Sequence, residues 1–291
     1  MPSTLLTDRE IAPGLYVVTT PIGHMADITL RALEVLAAVD LIAAEDTRHT
    51  RRLLTHHNIT NELISYHEHN EIQRTETLIQ KLAQGAAIAL VSDAGTPTVS
   101  DPGYRLVRAA TEQQIAVIPV PGVSAAMAAL SVSGLPTDQF TFVGFPVRKK
   151  NKRAAQLADL AHLPHTLIFY QSPQRLIRFM HELKEALGDR HSMLAREMTK
   201  LHEEFIRGSL SEIIRALDQR DAVKGECTLL VAGAPSAEQH GEEEIDAAIR
   251  TAMASAEHSL SDIARELASR FNVGKKRIYD KALRYRQQMP K

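Results

Sequence analysis

Short β-branched runs alternate with longer amphipathic stretches through the first half of the chain, and this alternation restricts the fold more than any other feature. Residues 15–20 read as a strand, fenced by Pro13-Gly14 before it and Pro21 after it. Asp27 is placed to cap a following helix whose apolar positions Ile28, Leu30, Leu33, Val35, Leu36 and Val39 recur at helical spacing. Strands are expected at 41–44, 63–65, 87–92 and 116–120, with helices at 71–84, stopped by Gly85, and at 104–113. Strand, helix, strand, helix in that order predicts parallel pairing with right-handed crossovers, an α/β sheet.

The pattern changes after Ser124. A helix runs to Leu130 and the breaker Gly134-Leu135-Pro136 follows. Strands are then expected at 140–145, 166–170, 192–196, 204–208 and 228–232, with helices at 174–187 and 210–218. Here strands succeed one another without intervening helices, so the second sheet should be mixed. The expected division is an α/β domain over 1–122, a second α/β domain over 123–234, an acidic linker at 235–244, and a helical tail over 245–291.

Composition narrows the class. Thirty-four basic and 35 acidic residues give a net charge of -1, so a nucleic-acid partner must be argued from local clusters. A single cysteine, Cys227, excludes an internal disulfide and a cysteine-based zinc site. No apolar run reaches about 18 residues, so no membrane span is expected. The first ten residues lack the basic and apolar pattern of a secretory signal, and the expected location is the cytoplasm.

Ligands of open α/β sheets sit beyond the C-terminal ends of the strands. Three such ends carry unusual turns: Thr19-Thr20-Pro21-Ile22-Gly23-His24, Ser92-Asp93-Ala94-Gly95-Thr96-Pro97 with Ser100-Asp101-Pro102-Gly103, and Pro121-Gly122-Val123-Ser124-Ala125. Glycine admits a ligand close to backbone and proline fixes the bend. There is no P-loop, and the dinucleotide fingerprint is missing after the first strand. The pocket must therefore hold its ligand without a phosphate-cradling loop, which suits an adenosine-type ligand of low charge.

In order, TPIGHMADITLRAL, AAEDTRHT, SYHEHNE, LVSDAGTPTVSDPG, PVPGVSAAMAAL and GFPVRK resemble the ribosomal small-subunit methyltransferase I family, within the tetrapyrrole-methylase superfamily. The likeness runs from about Leu15 to about Ala232 and continues more weakly into the tail. It departs at His24-Met25, where Asn then Leu is usual. The resemblance implies two α/β domains with S-adenosylmethionine in the cleft between them, a homodimer, and methylation of the ribose 2′-oxygen of a cytidine in the decoding region of 16S rRNA. It carries cofactor roles over to Pro21, to Asp93, Gly95, Thr96 and Val99, and to Ser124 and Ala125. From the second domain it adds Phe169 and Tyr170, and Glu226 and Thr228 in the segment Gly225-Glu226-Cys227-Thr228. The same fold with a tetrapyrrole substrate is the alternative; a DNA-binding regulator is a third reading, disfavoured by the glycine-proline turns.

Methyl transfer from a sulfonium to oxygen asks mainly for alignment and exclusion of water. A ribose hydroxyl is a poor nucleophile, so a base would help. Asp93, Glu45, Asp46, Asp101 and His69 stand near the strand ends and none is singled out. Asp93 reads equally as a turn cap, and Glu45, Asp46 and Arg48 as an exposed ion-paired group or as an RNA-facing rim. Lys200 and Glu197 contact substrate or one another. His67 and His69 invite a zinc reading, but no cysteine or H-E-x-x-H accompanies them, and a polar loop at the substrate entrance is preferred; no metal is expected.

Two basic clusters point to RNA. Arg148, Lys149, Lys150, Lys152 and Arg153 fill five of six positions just past a strand end. From 259 to 291 nine basic residues face three acidic ones, a local +6 that the overall charge hides. Ser261-Asp262 is expected to cap a helix in this tail, 272–274 to turn, and Lys275, Lys276 and Arg277 to open a basic second helix, a helix-turn-helix-like pattern. It reads as an RNA-binding module or as a packing appendage.

Overall fold

The computed structural model describes residues 11–235, 242–254, 259–271 and 273–288. Its first sheet contains β1 (Gly14–Val18), β2 (Leu41–Ala44), β3 (Leu63–Ser65), β4 (Ala87–Val91) and β5 (Val117–Val120), in the order β3-β2-β4-β1-β5. All four pairings are parallel, as the alternating pattern requires. β2 and β4 are buried along their whole length, the mark of strands covered on both faces. The covering helices are α1 (Leu30–Ala38), α2 (Thr47–His56), α3 (Glu71–Ala83) and α4 (Tyr104–Glu112). On one face Leu78, Ile79 and Leu82 of α3 and Leu106 and Ala110 of α4 pack on Leu15, Ile88 and Leu90.

The order places β4, β1 and β5 side by side, so the three glycine-proline turns are spatial neighbours. Thr20 and Gly95 exchange backbone hydrogen bonds of 2.9 and 3.0 Å, stitching two of these turns together beyond the sheet.

The second sheet runs β6-β7-β10-β8-β9, from β6 (Phe140–Gly144), β7 (Thr166–Gln171), β8 (His191–Arg196), β9 (Glu204–Ser209) and β10 (Cys227–Val231). Only β6 and β7 are parallel, so this sheet is mixed. One face packs on α6 (Lys150–Leu160), α7 (Pro173–Leu187) and α8 (Leu210–Asp218). Leu176, Phe179, Met180, Leu183 and Leu187 of α7 form the apolar stripe that does this. The other face, with Ile168, Met193 and Leu230, packs on α5 (Ala125–Ser131) and on Ile22 of the first-strand turn. A single apolar cluster therefore clamps the first sheet's turns to the second sheet. Burying each such aliphatic side chain contributes about 1.5–3 kcal/mol.

The tail holds α9 (Glu242–Ala254), α10 (Leu260–Phe271) and α11 (Lys275–Gln288), with their own core of Ile245, Ile249, Ile263, Leu267, Phe271 and Ile278. No helix of the described residues is long and apolar enough to cross a membrane.

Several local expectations need correction. Asp27 ends a short 3-10 turn (Met25–Asp27), and α1 is capped by Thr29, whose hydroxyl accepts from the Ala32 N–H at 3.1 Å. In the tail the cap is Ser259, accepting from the Asp262 N–H at 3.2 Å, two residues before the expected Ser261. α2 was not expected, because only Thr50, Leu53 and Leu54 of its ten residues are buried. The basic stretch at 148–153 is not all loop, since α6 begins inside it. Of the expected linker, 236–241 lies outside the described residues and Glu242–Glu244 already belongs to α9, as Asn272 of the expected turn lies outside them too.

Candidate active site

The first-strand turn is pinned from behind. His24 Nδ1 accepts from the Ala26 N–H at 3.2 Å, so this histidine caps the short 3-10 turn that follows it. The His24 N–H in turn donates to Thr199 Oγ1 at 3.0 Å, fixing the turn to the loop that follows β8. On the opposite side Gly144 ends β6 with φ of 69°, and a Cβ there would stand 2.8 Å from Ser100 Oγ. The close approach of β6 to the Thr96–Asp101 loop therefore needs glycine.

Between these two contacts lies a cleft of about 390 Å³, in the size range of small-molecule sites. From the first sheet it is lined by Ile22, Gly95, Thr96, Val99, Ser124 and Ala125. From the second it is lined by Phe145, Tyr170, Glu226 and Thr228. Ser124 precedes α5 but makes no side-chain cap, and its hydroxyl hydrogen-bonds the Tyr170 side chain instead. Tyr170 and Thr228 are opposite one another in the β7–β10 register and so share a face. Tyr170 is braced by Phe142 and Phe145 at ring separations of 5.1 and 5.7 Å, and burial raises its phenol above the usual range.

The sequence-derived site residues divide accordingly. Gly95, Thr96, Val99, Ser124, Ala125, Tyr170, Glu226 and Thr228 converge on the cleft. Phe169 does not: strand alternation sends its side chain to the opposite face, where it is fully buried against Phe179. Pro21 is buried behind its neighbour Ile22, which is the residue that lines the cleft. Asp93 bridges two turns, its Oδ1 accepting from the Asp46 N–H at 3.0 Å while its own N–H donates to Glu45 Oε2 at 3.4 Å. Neither Asp93 nor Glu45 lines the cleft. Sequence reasoning missed Gln171, Ser172 and Pro173 as cleft residues. The signal was present, because Ser-Pro directly after a strand marks a helix start pointed at the strand's end.

Lys200 fails as a base. Its Nζ lies 3.1 Å from Glu197 Oε1 and 3.0 Å from Glu226 Oε2. Burial works against the ammonium, but the two carboxylates outweigh it and raise its pKa, so it stays charged. Its task is to hold Glu226 at the cleft wall. Glu197 completes the brace by accepting the Glu226 N–H at 2.9 Å, which with Lys200 lowers its own pKa. The carboxylate lies against Gly225, where a Cβ would come within 2.6 Å of Oε1 and φ is 87°.

Backbone strain gathers here. Thr98 and Ser100 hold φ of 74° and 69°, and Glu197 and Thr199 hold 52° and 63°. Such conformations cost of order 1–3 kcal/mol each and persist where surrounding structure enforces them, often at functional sites. Carboxylates gather as well: Glu45 is raised by burial and by the charges of Asp93 and Glu68. Asp101 is pushed up to about 7 by burial and by Glu45. Asp46 is different, held well below the carboxylate range by Arg48, which grips it at 2.8 Å. His67 and His69 belong to a turn, not an extended segment, and among the described residues no cluster of three or more potential ligands could hold a metal.

Beyond the cleft, past the shared residue Gln171, Arg148, Lys150, Arg153, Arg175 and Arg178 surround a hollow of about 130 Å³. Arg153 is not available to a ligand as expected. It is engaged with Glu182 at 2.5 and 2.8 Å and donates to the Val147 and Arg148 carbonyls. Arg148, Lys149, Lys150 and Lys152 are exposed. Lys149 and Lys150 open α6 at the positive end of its dipole, a placement that does nothing for helix stability. Lys275, Lys276 and Arg277 repeat this at the exposed start of α11.

Comparison with known proteins agrees with this architecture. Residues 14–214 match the family model of tetrapyrrole (corrin/porphyrin) methylases. The ribosomal RNA small subunit methyltransferase I of Escherichia coli O157:H7 is 47% identical over 274 residues, covering 92% of this chain and 94% of its own. That of Micromonospora olivasterospora is 48% identical over 241 residues, covering 83% and 76%. Among solved structures, the methyltransferase CobJ superposes with a TM-score of 0.58 at 19% identity, over 76% of this chain and 94% of its own. Cobalt precorrin-4 methyltransferase CbiF does so with 0.57 at 17%, over 75% and 94%. These two share the fold. The matched relatives and the family model together make this chain a member of the ribosomal RNA small subunit methyltransferase I family of tetrapyrrole-methylase-fold proteins, an S-adenosylmethionine-dependent methyltransferase.

Proposed function

We propose that this chain methylates the ribose 2′-oxygen of a cytidine in the decoding region of 16S rRNA, with the methyl donor seated in the cleft between the two sheets. The observation that carries the reading is the position of that cleft: it lies at the ends of three adjacent strands and opens beside an exposed basic rim. Its chemistry fits the donor. Ile22, Val99, Ala125 and Phe145 provide apolar walls for an adenosine and a thioether-like sulfur. Thr96, Ser124 and Thr228 offer hydroxyls, and Glu226 and Asp101 bring negative charge suited to a cationic ligand. Gly95, Tyr170 and Val99 complete the seat, while Pro21 and Asp93 support it from the turns behind.

S-adenosylmethionine supplies an already activated methyl group, so the protein's work is alignment and exclusion of water. Tyr170, fixed by its aromatic neighbours, presents a rigid wall, and the Lys200–Glu226–Glu197 brace keeps the adjoining part of that wall from moving. Arg148, Lys149, Lys150 and Lys152 then draw the phosphate backbone to the rim, with Lys275, Lys276, Arg277 and exposed Arg48 as further RNA contacts. The names of the relatives support a small-subunit rRNA substrate. The resemblance adds a homodimer, the single cysteine suits the cytoplasm, and the glycine-proline turns favour a catalytic pocket over a DNA partner. The relatives' names favour rRNA over a tetrapyrrole substrate, and the likeness to the corrin enzymes is one of fold.

The test is to incubate the protein with labelled S-adenosylmethionine and either naked 16S rRNA or small subunits from a strain lacking this protein, then map the label. Label on a cytidine ribose is the expected result. Label on a base, or on neither substrate, would overturn the reading.

A further inference from the structure

Two hollows adjoin the cleft, and they differ in charge. The outer hollow, about 720 Å³ between α3 and α4, meets the cleft at Asp101. Its arginines are already paired, Arg105 with Glu71 at 2.6 Å and Arg108 with Glu112 at 2.7 Å, while Glu68 and Glu76 add negative charge. Such a wall repels phosphate. The hollow past Gln171 is the reverse. Arg148, Lys150, Arg153, Arg175 and Arg178 line it against a single carboxylate, Glu182. Glu182 is occupied by Arg153 at 2.5 and 2.8 Å and by Arg178 Nε at 3.2 Å. The rest of the Arg178 guanidinium faces solvent, its side chain being 68% exposed. Arg175 is better placed still. Its Nε–H donates to Ser172 Oγ at 2.9 Å, which orients the guanidinium and leaves its two terminal nitrogens for an anion. Ser172 and Gln171 both line the cleft, so Arg175 stands one side chain away from it. Gln171 is only 6% exposed, and its Oε1 is taken by the Ser172 N–H at 2.9 Å. Its amide N–H group is therefore the end left as a donor in the wall between cleft and hollow. At about 130 Å³ the hollow suits one small anion and is well below the range of whole small-molecule sites.

We propose that this hollow seats a single backbone phosphate of the acceptor strand, the one beside the nucleotide being methylated, with Arg175 and Arg178 as its principal contacts and Arg148 and Lys150 beside them. The inference rests on the RNA-methylating function proposed above and deepens it: the exposed rim draws the strand in, whereas this seat sets its register against the donor. A phosphate gripped one side chain from the cleft brings the neighbouring ribose to the donor's methyl carbon, the alignment that an in-line transfer needs. Arg175 is thus a positioning residue, touching the substrate away from the reacting atoms.

The test compares wild type, Arg175→Gln and Arg175→Lys in single-turnover transfer to undermethylated small subunits, with S-adenosylmethionine saturating. Arg175→Gln should raise the half-saturating subunit concentration about tenfold and lower the saturated rate by about tenfold as well, because the strand binds out of register. Its donor affinity, measured by calorimetry, should stay within about twofold, since Arg175 lines no part of the cleft. Arg175→Lys keeps the charge without the fork and should recover most of the affinity but less of the rate. Inorganic phosphate, set against chloride at equal ionic strength, should compete with subunits in wild type and far less in Arg175→Gln. In arginine-labelled protein free of donor and RNA, the same phosphate should shift the Nε–H resonance that disappears in Arg175→Gln. Unchanged transfer by Arg175→Gln overturns the proposal even if phosphate shifts that resonance, because the hollow would then take free anions only. A resonance that ignores phosphate overturns it too, independently of any activity. If wild type labels no ribose, the parent function falls and takes the acceptor strand with it.

Discussion

Carboxylates on the two sheets are held in opposite ways. On the second sheet they are paired: Glu204 is gripped by Arg220 at 2.6 Å and Arg196 at 2.9 Å and held down to about 2, and Glu182 is lowered by Arg153 and Arg178. On the first sheet Glu45 and Asp101 are raised, by burial and by neighbouring carboxylates, Asp93 and Glu68 for Glu45, Glu45 and Asp93 for Asp101. Paired acids stabilise a fold; acids crowded together in a partly buried site destabilise it and persist where they serve chemistry. The difference separates framework from function within one molecule.

Stability against pH breaks or sharpens this contrast most strongly at Asp101. Its folded pKa lies above the ordinary 3.8, so the unfolded chain gives up its proton first, and stability falls as pH rises from about 4 to about 7. Asp101→Asn should therefore raise stability at pH 8 by on the order of 1–4 kcal/mol, read as a higher thermal midpoint, and leave it nearly unchanged at pH 4. Equal midpoints at pH 8 would mean that the carboxyl is not strained.

Glu204 should give the opposite sign. Its pKa is depressed, so its contribution is present above the ordinary value of 4.5 and is lost as pH falls toward about 2. Glu204→Gln should cost on the order of 1–3 kcal/mol at pH 7 in denaturant titration, with the gap closing in acid. A gap that stays open at low pH would contradict the pairing.

Arginine neighbours supply a finer test. Arg153→Ala should cost on the order of 1–2 kcal/mol by stranding Glu182, with little change in RNA binding. Arg148 and Lys150 changed together to Ser should leave stability within about 0.5 kcal/mol and flatten the salt dependence of RNA affinity by up to about 0.9 in log slope per lost phosphate contact. If Arg153 alone moved the slope, the division of the basic stretch into framework and rim would be wrong.

Much of the fold and of the cleft was readable from the chain, because turns are local chemistry. The three turns could be placed since the residues that shape their bends are adjacent in sequence, and the resemblance then carried the cofactor role to Gly95, Thr96, Ser124 and Ala125. What escaped depends on contacts distant in sequence. Phe169 and Tyr170 are neighbours on one strand, and which of them faces the cleft is decided by packing against α7. Lys200 could not be rejected as a base without seeing Glu197 and Glu226 close around it. α6 was hidden because Lys149 and Lys150 sit where a helix start prefers acids. Asp101 was one of four acids near the strand ends until two cavities were found to meet at it.

A crystal structure with bound S-adenosylmethionine, or its demethylated product, tests the central claim most directly. The ligand should lie between Gly95–Thr96 and Ser124–Ala125 on one side and Tyr170 and Thr228 on the other, with Asp101 open to the outer hollow. A ligand seated anywhere else would contradict the account.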